Sequence, residues 1–142
     1  MIDSVVIATD GSASVDRAVD VALDLARRFE AEVHALYVVD TDEVNSSPER
    51  LREDLETALE EQADEALAAI EDRTDREVIA AVRSGRPAAE ITAYAREHDV
   101  DLVATGTRGR HGENRFLVGS VADGVVRSCA QPVLTVRQLE EA

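Results

Sequence analysis

The chain is 142 residues long, 44% hydrophobic but only 3% aromatic with no tryptophan, and it carries 30 acidic against 15 basic residues for a formal net charge of −15. Every basic residue is arginine. These figures exclude a general affinity for nucleic acid or anionic membrane, which needs positive surface. They also exclude an aromatic stacking platform for single strands and any phosphate loop or Schiff-base chemistry built on lysine.

The length suits a single domain spanning residues 1–142. A lysine-free acidic composition fits a halophilic setting, where a Debye length of about 3 Å at 1 M salt removes most self-repulsion; an acidic protein from a GC-rich genome has the same composition. Cys129 is the one cysteine and has no internal disulfide partner. It falls on the apolar stripe of the last helix and reads as core. The N-terminal MIDSVVIATDGS has neither a basic n-region nor a long apolar run, and nothing approaches the roughly 18 apolar residues of a membrane span. A cytoplasmic location is expected.

In chain order, Ser4 to Thr9 is a continuous apolar run, the pattern of a strand covered on both faces in a parallel sheet. Asp10-Gly11-Ser12 turns the chain, and Ser14 is the expected N-cap of a first helix. Val15, Ala18, Val19, Ala22, Leu25, Ala26 and Phe29 recur at helical spacing on that helix. Glu32 to Val39 reads as the second strand. Asp40 to Pro48 is polar and reads as a loop. A second helix follows from Glu49 to about Asp72, with Leu51, Leu55, Ala58, Leu59, Ala63, Ala66, Leu67 and Ile70 on one face. Its other face is densely acidic, which is the usual mark of a solvated surface rather than a metal site.

Glu77 to Val82 reads as the third strand, closed by Ser84-Gly85. Pro87 fits the first position of a helix over about 87–98 that turns Ala88, Ile91, Tyr94 and Ala95 inward. Asp101 to Thr105 is the fourth strand. After it comes GTRGRHGENRFLVGS, from Gly106 to Ser120, and then a helical stripe through Val118, Val121, Ala122, Val125 and Val126. Pro132 to Val136 is the last strand. Strands alternating with helices imply an α/β fold with a parallel sheet and right-handed crossovers. In such sheets a ligand lies outside the carboxyl ends of the strands, so Asp10, Val38 to Asp40 and Gly106 should share one crevice.

The Gly106 to Ser120 stretch has the ingredients of an anion site: a strand, a glycine-bearing loop with Arg108, Arg110 and Arg115, and a helix start whose first amides lack internal partners. Several of the candidate residues along the chain have a purely structural alternative. Asp10 could shape the turn or cap the first helix. Ser120 with Asp123 has the spacing of a capping box. The three arginines could be solvated loop charges. His34, His98 and His111 are scattered without metal-ligand spacing, so no metal site is expected.

The spacing Gly106-x2-Gly109-x9-Gly119-Ser120 resembles the nucleotide signature of the universal stress protein family, in its ATP-binding branch. VVIATDGS, YVVD, DLVATGTRGR and QPVLTVR resemble further landmarks of that family along essentially the whole chain. The resemblance implies a three-layer open sandwich around a five-stranded parallel sheet of order 3-2-1-4-5, of the adenine nucleotide alpha hydrolase-like type. It further implies ATP, with any Mg²⁺ brought in by the nucleotide, and a homodimer through the last strand. Carried over by position, Ala8, Thr9 and Asp10 line the adenosine end, and the backbone of Val38 meets the adenine edge. Thr105, Gly106, Arg108 and Gly109 flank the ribose and phosphates, while Gly119, Ser120 and Val121 hold the phosphates at the helix start. Ala8 stands where the family often has proline.

The function so implied is a stress-associated, nucleotide-responsive ATP-binding dimer, with binding rather than turnover as its main act. A slow ATPase or nucleotidyl-transfer enzyme on the same fold, and a dimeric interaction module without nucleotide, are the alternatives. A phosphorylatable receiver is set aside, because it needs a lysine.

Overall fold

In the computed structural model, residues 1–107 and 119–139 are described. The expectations placed on Arg108 and Gly109, and on Arg110, His111, Arg115 and Val118, lie outside those residues. Strands β1 (Ser4–Thr9), β2 (Glu32–Asp40), β3 (Val78–Gly85), β4 (Leu102–Gly106) and β5 (Val133–Val136) form one sheet of order β3-β2-β1-β4-β5. Every pairing in it is parallel. The helices are α1 (Asp16–Phe29), α2 (Thr41–Asn45), α3 (Glu49–Glu71), α4 (Pro87–Glu97) and α5 (Ser120–Ser128).

Side chains alternate across a strand, and here both sets are buried. Val5 and Ile7 join α1 and α3 in one apolar cluster; Val6 and Ala8 join Ile91, Tyr94 and Ala95 of α4 and Val125 of α5 in the other. Three layers result, and the central strands β1 and β4 read as apolar runs because neither of their faces meets water. Gly124 lets the last two helices approach: a Cβ there would lie 2.8 Å from the Ala88 Cβ. Among the described residues no helix is long and apolar enough to cross a membrane.

Several local expectations need correction. Ser14 does not cap α1; it sits inside a 3-10 turn, Ala13–Val15, and no side chain caps the helix. The Ser12 hydroxyl just ahead of that turn is committed to Asp10 instead, an Asx-type turn winning over a helix cap. The inward face of α1 is rotated from the expected stripe, with Leu23 buried, Leu25 half-buried and Phe29 exposed. The stretch after β2 is not all loop, since the Asp40 carboxylate accepts from the Asp42 amide at 3.0 Å and opens α2. Arg52 closes that short helix by donating to the carbonyls of Asn45 and Ser47. One turn is too short to show helical periodicity, so pattern alone missed it.

In α3, Leu59, Ala63, Leu67 and Ile70 are buried, whereas Leu51 and Ala58 are exposed. A helix of 23 residues is about 35 Å long at 1.5 Å per residue. It overhangs a sheet whose strands reach nine residues at most, or about 30 Å. Cys129 is the half-buried residue that ends α5, packed against the second cluster rather than within it.

Candidate functional site

The sheet order places β1 between β2 and β4, so the chain runs outward through β2 and β3 and then crosses back beyond β1. That reversal opens a crevice at the carboxyl ends of β1 and β4. The register brings the expected residues to it. Thr9 pairs with Tyr37, placing Asp10 beside Val38, and Ile7 pairs with Ala104, placing Ala8 and Thr9 beside Thr105 and Gly106.

The turn after β1 is held by its own side chains. Thr9 Oγ1 accepts from the Gly11 amide at 3.1 Å, and Asp10 Oδ1 accepts from the Ser12 amide at 2.9 Å and the Ser12 hydroxyl at 2.6 Å. Gly11 takes φ +78°, and a Cβ there would meet the Ala66 Cβ at 3.4 Å. The turn therefore packs against α3, and only glycine adopts this backbone without strain. The turn reading of Asp10 is a structural fact, whatever else the carboxylate does.

On the other wall, Thr105 is buried and its hydroxyl donates to the Gly106 carbonyl at 3.2 Å. Thr107 carries a contact that spacing alone did not reveal: its carbonyl accepts from the Gly119 amide at 2.5 Å. The exit of β4 and the entry to α5 are thus tied directly together, although 12 positions separate them. Position gives the only signal for it, since Thr107 immediately follows Gly106.

At that entry the capping-box expectation fails. Gly119, with extended backbone, is the N-cap, and among the described residues no side chain caps the helix. Ser120 is the exposed first helical residue, and the Asp123 carboxylate turns away to accept from Arg127 Nε at 2.9 Å. The first amides of α5 consequently have no acceptor within the helix and, among the described residues, no capping hydroxyl, leaving partial positive charge at this end. Val121 is half-buried and packs on the second core cluster, anchoring the first turn. Of the expected site residues, Ala8, Thr9, Asp10, Val38, Thr105, Gly106, Gly119, Ser120 and Val121 therefore lie at one end of the sheet. Among the described residues no group of three or more potential ligands is placed to hold a metal ion.

The histidines read as structural are not alike. His34 is buried between Tyr94 and Glu32, while His98 is exposed and stacks on Tyr94 with ring centroids 4.1 Å apart.

Comparison with known proteins agrees with this architecture. The pattern of the Universal stress protein family matches residues 1–137. The chain is 36% identical over 138 residues to a universal stress protein of Methanocaldococcus jannaschii, with 94% of this chain and 81% of that one covered. Among solved structures, the universal stress protein UspA from Lactobacillus plantarum is similar with a TM-score of 0.80 at 27% identity, covering 96% of this chain and 98% of that one. A universal stress protein from Archaeoglobus fulgidus in complex with dAMP shares the fold with a TM-score of 0.68 at 23% identity, over 96% and 100% of the two chains. Sequence, sheet order and helix placement all lead to one statement: the chain belongs to the universal stress protein family.

Proposed function

We propose that the protein binds an adenine nucleotide, ATP with its Mg²⁺, in the crevice at the carboxyl ends of β1, β2 and β4. It then works as a nucleotide-responsive dimer in a stress response rather than as an enzyme of rapid turnover. The carrying observation is the Gly119–Thr107 hydrogen bond, which sets the uncapped start of α5 at the mouth of β4. Backbone amides with no internal partner, approached past residues without bulky side chains, suit a polyphosphate. The residues present fit the group: Ala8, Thr9, Gly106 and Gly119 are small, and Asp10 holds its own turn while facing Val38 across the strand ends. The Archaeoglobus fulgidus protein of the same fold was solved with dAMP, which agrees with the ligand class.

In this reading Ala8, Thr9 and Asp10 line the adenosine end and the Val38 backbone meets the adenine edge. Thr105, Gly106, Arg108 and Gly109 flank the ribose and phosphates, and Gly119, Ser120 and Val121 take the phosphates. The open edge β5, whose Val133, Leu134 and Thr135 are half-buried, is the dimer face. Titration calorimetry with ATP, ADP and AMP, with and without Mg²⁺, tests the binding, and no heat together with no melting shift removes it. Phosphate release that is lost in Ser120→Ala while binding persists would favour the slow-ATPase alternative. The charge of −15 further implies stability that grows with KCl as self-repulsion is screened. A melting temperature highest in dilute buffer contradicts that part of the reading.

A further inference from the structure

Away from the crevice, α4 is fastened to β2 and β3 by a chain of polar and aromatic side chains that the nucleotide reading does not use. His34 of β2 is 4% exposed. Its Nε2 lies 2.7 Å from Glu32 Oε1, and its Nδ1 lies 2.6 Å from the Tyr94 hydroxyl of α4. Tyr94 is 2% exposed, and His34 Nδ1 is its hydroxyl's one hydrogen-bond partner among the described residues. Arg83 of β3 lies 4.9 Å from the centroid of the Tyr94 ring and pairs with Glu97 of α4. The His98 ring covers Tyr94 and is 5.3 Å from that of His34.

With His34 singly protonated, the chemistry of its partners fixes the proton positions. An ionised carboxylate only accepts, so Nε2 carries the imidazole proton and donates to Glu32. Nδ1 is then a lone pair, and the Tyr94 hydroxyl donates to it. Burial pushes the Tyr94 phenol up, so it keeps its proton.

We propose that this Glu32–His34–Tyr94 chain is a proton-operated latch that holds α4 on the sheet and loosens when His34 takes up a second proton. A proton on Nδ1 turns that nitrogen into a donor. The Tyr94 hydroxyl must then accept, and its own hydrogen is left in a buried site without a partner, at the full desolvation cost of that group. The new charge is also buried, near Arg83 and beside the His98 ring.

The groups that oppose this are Glu32 on β2, which attracts an imidazolium, and Glu90 and Glu97 on α4. Glu97 is already committed to Arg83. Glu32 is 56% exposed, so its pull is screened by water and salt. Solvent reaches the chain through Glu32, which lines a shallow pocket of about 350 Å³ with Ala31, Arg76, Glu77 and Ile79.

The test is amide hydrogen exchange of α4 against α1 in the full chain at molar KCl, between pH 7.5 and 5, corrected for intrinsic rates. Imidazole nitrogen NMR is recorded on the same samples. The latch expects Nε2–H as the tautomer at pH 7.5 and an α4-to-α1 exchange ratio that rises about tenfold as His34 becomes doubly protonated, the change an orphaned hydroxyl implies. His34→Gln should flatten that rise, and His98→Gln should reduce it without removing it. An equal rise in wild type and His34→Gln overturns the proposal. If His34→Gln does not fold, wild type alone decides: a doubly protonated His34 at pH 7.5, or protonation with no change in α4 exchange, overturns it.

Discussion

The crevice between β1 and β4 and the seam between α4 and the β2–β3 half of the sheet are built on opposite principles. In the crevice the contacts come from backbone and the shortest side chains: the Gly119 amide on the Thr107 carbonyl, the Thr9 and Asp10 oxygens on the amides just after them. At the seam, long side chains from three elements meet, with Glu32, His34, Arg83, Tyr94 and Glu97 joined by hydrogen bonds, an ion pair and ring contacts. The first kind of site is sensitive to added volume, because its surface is the main chain. The second is sensitive to lost atoms, because each buried polar group depends on one partner.

The largest expected effect breaks the crevice side alone. Gly119→Val puts a branched side chain at the entry to α5, and ATP affinity should fall by about a hundredfold or more, since charge-assisted bonds from several amides are lost together. Circular dichroism and melting should be nearly unchanged, and unaltered affinity in calorimetry would count heavily against the site. Next comes its mirror image at the seam. Tyr94→Ala removes a ring that is 2% exposed and should cost about 3–5 kcal/mol in denaturant unfolding, with the nucleotide contacts themselves left in place.

A third variant sharpens the comparison by adding volume away from both sites. Gly124→Val should destabilise by about 1–3 kcal/mol, because even its Cβ would stand 2.8 Å from the Ala88 Cβ. Ala88→Gly in the same chain should recover part of that loss, and purely additive effects in the double-mutant cycle would deny the contact. The smallest effect is in acid. Arg27 first and Arg28 next hold the Asp24 carboxyl below the ordinary carboxylate range, and Arg83 does the same for Glu97. Their contribution is present above the unfolded carboxylate range and lost as pH falls through their lowered values, below about pH 4. Both pairs are at the surface, so Asp24→Asn and Glu97→Gln should only slightly flatten the acid limb of the melting curve.

Sequence legibility follows the same division. Residues 4–9 and 101–105 could be read as buried strands because continuous apolar runs have few other uses, and the glycine spacing from 106 to 119 could be read as a candidate anion site because the residues involved are close in the chain. What reading missed was local competition or distance. The Ser12 hydroxyl went to Asp10, and Ser14, the expected cap of α1, was taken into a 3-10 turn. Gly119 took the cap position expected of Ser120. Asp40 opened a helix of five residues, too short to leave a period.

By itself, then, the sequence determined the alternation of strands and helices, the apolar faces that close three layers, and the family, since each of these is carried by local pattern along the whole chain. Tertiary structure alone decided that Thr107 meets Gly119, that Ala88 meets Gly124, and that His34 lies between Glu32 and a tyrosine 60 positions away. Such partners are chosen by where the crossovers bring the helices back onto the sheet. A contact between residues far apart in the chain leaves no period, cap or spacing at either end to announce it.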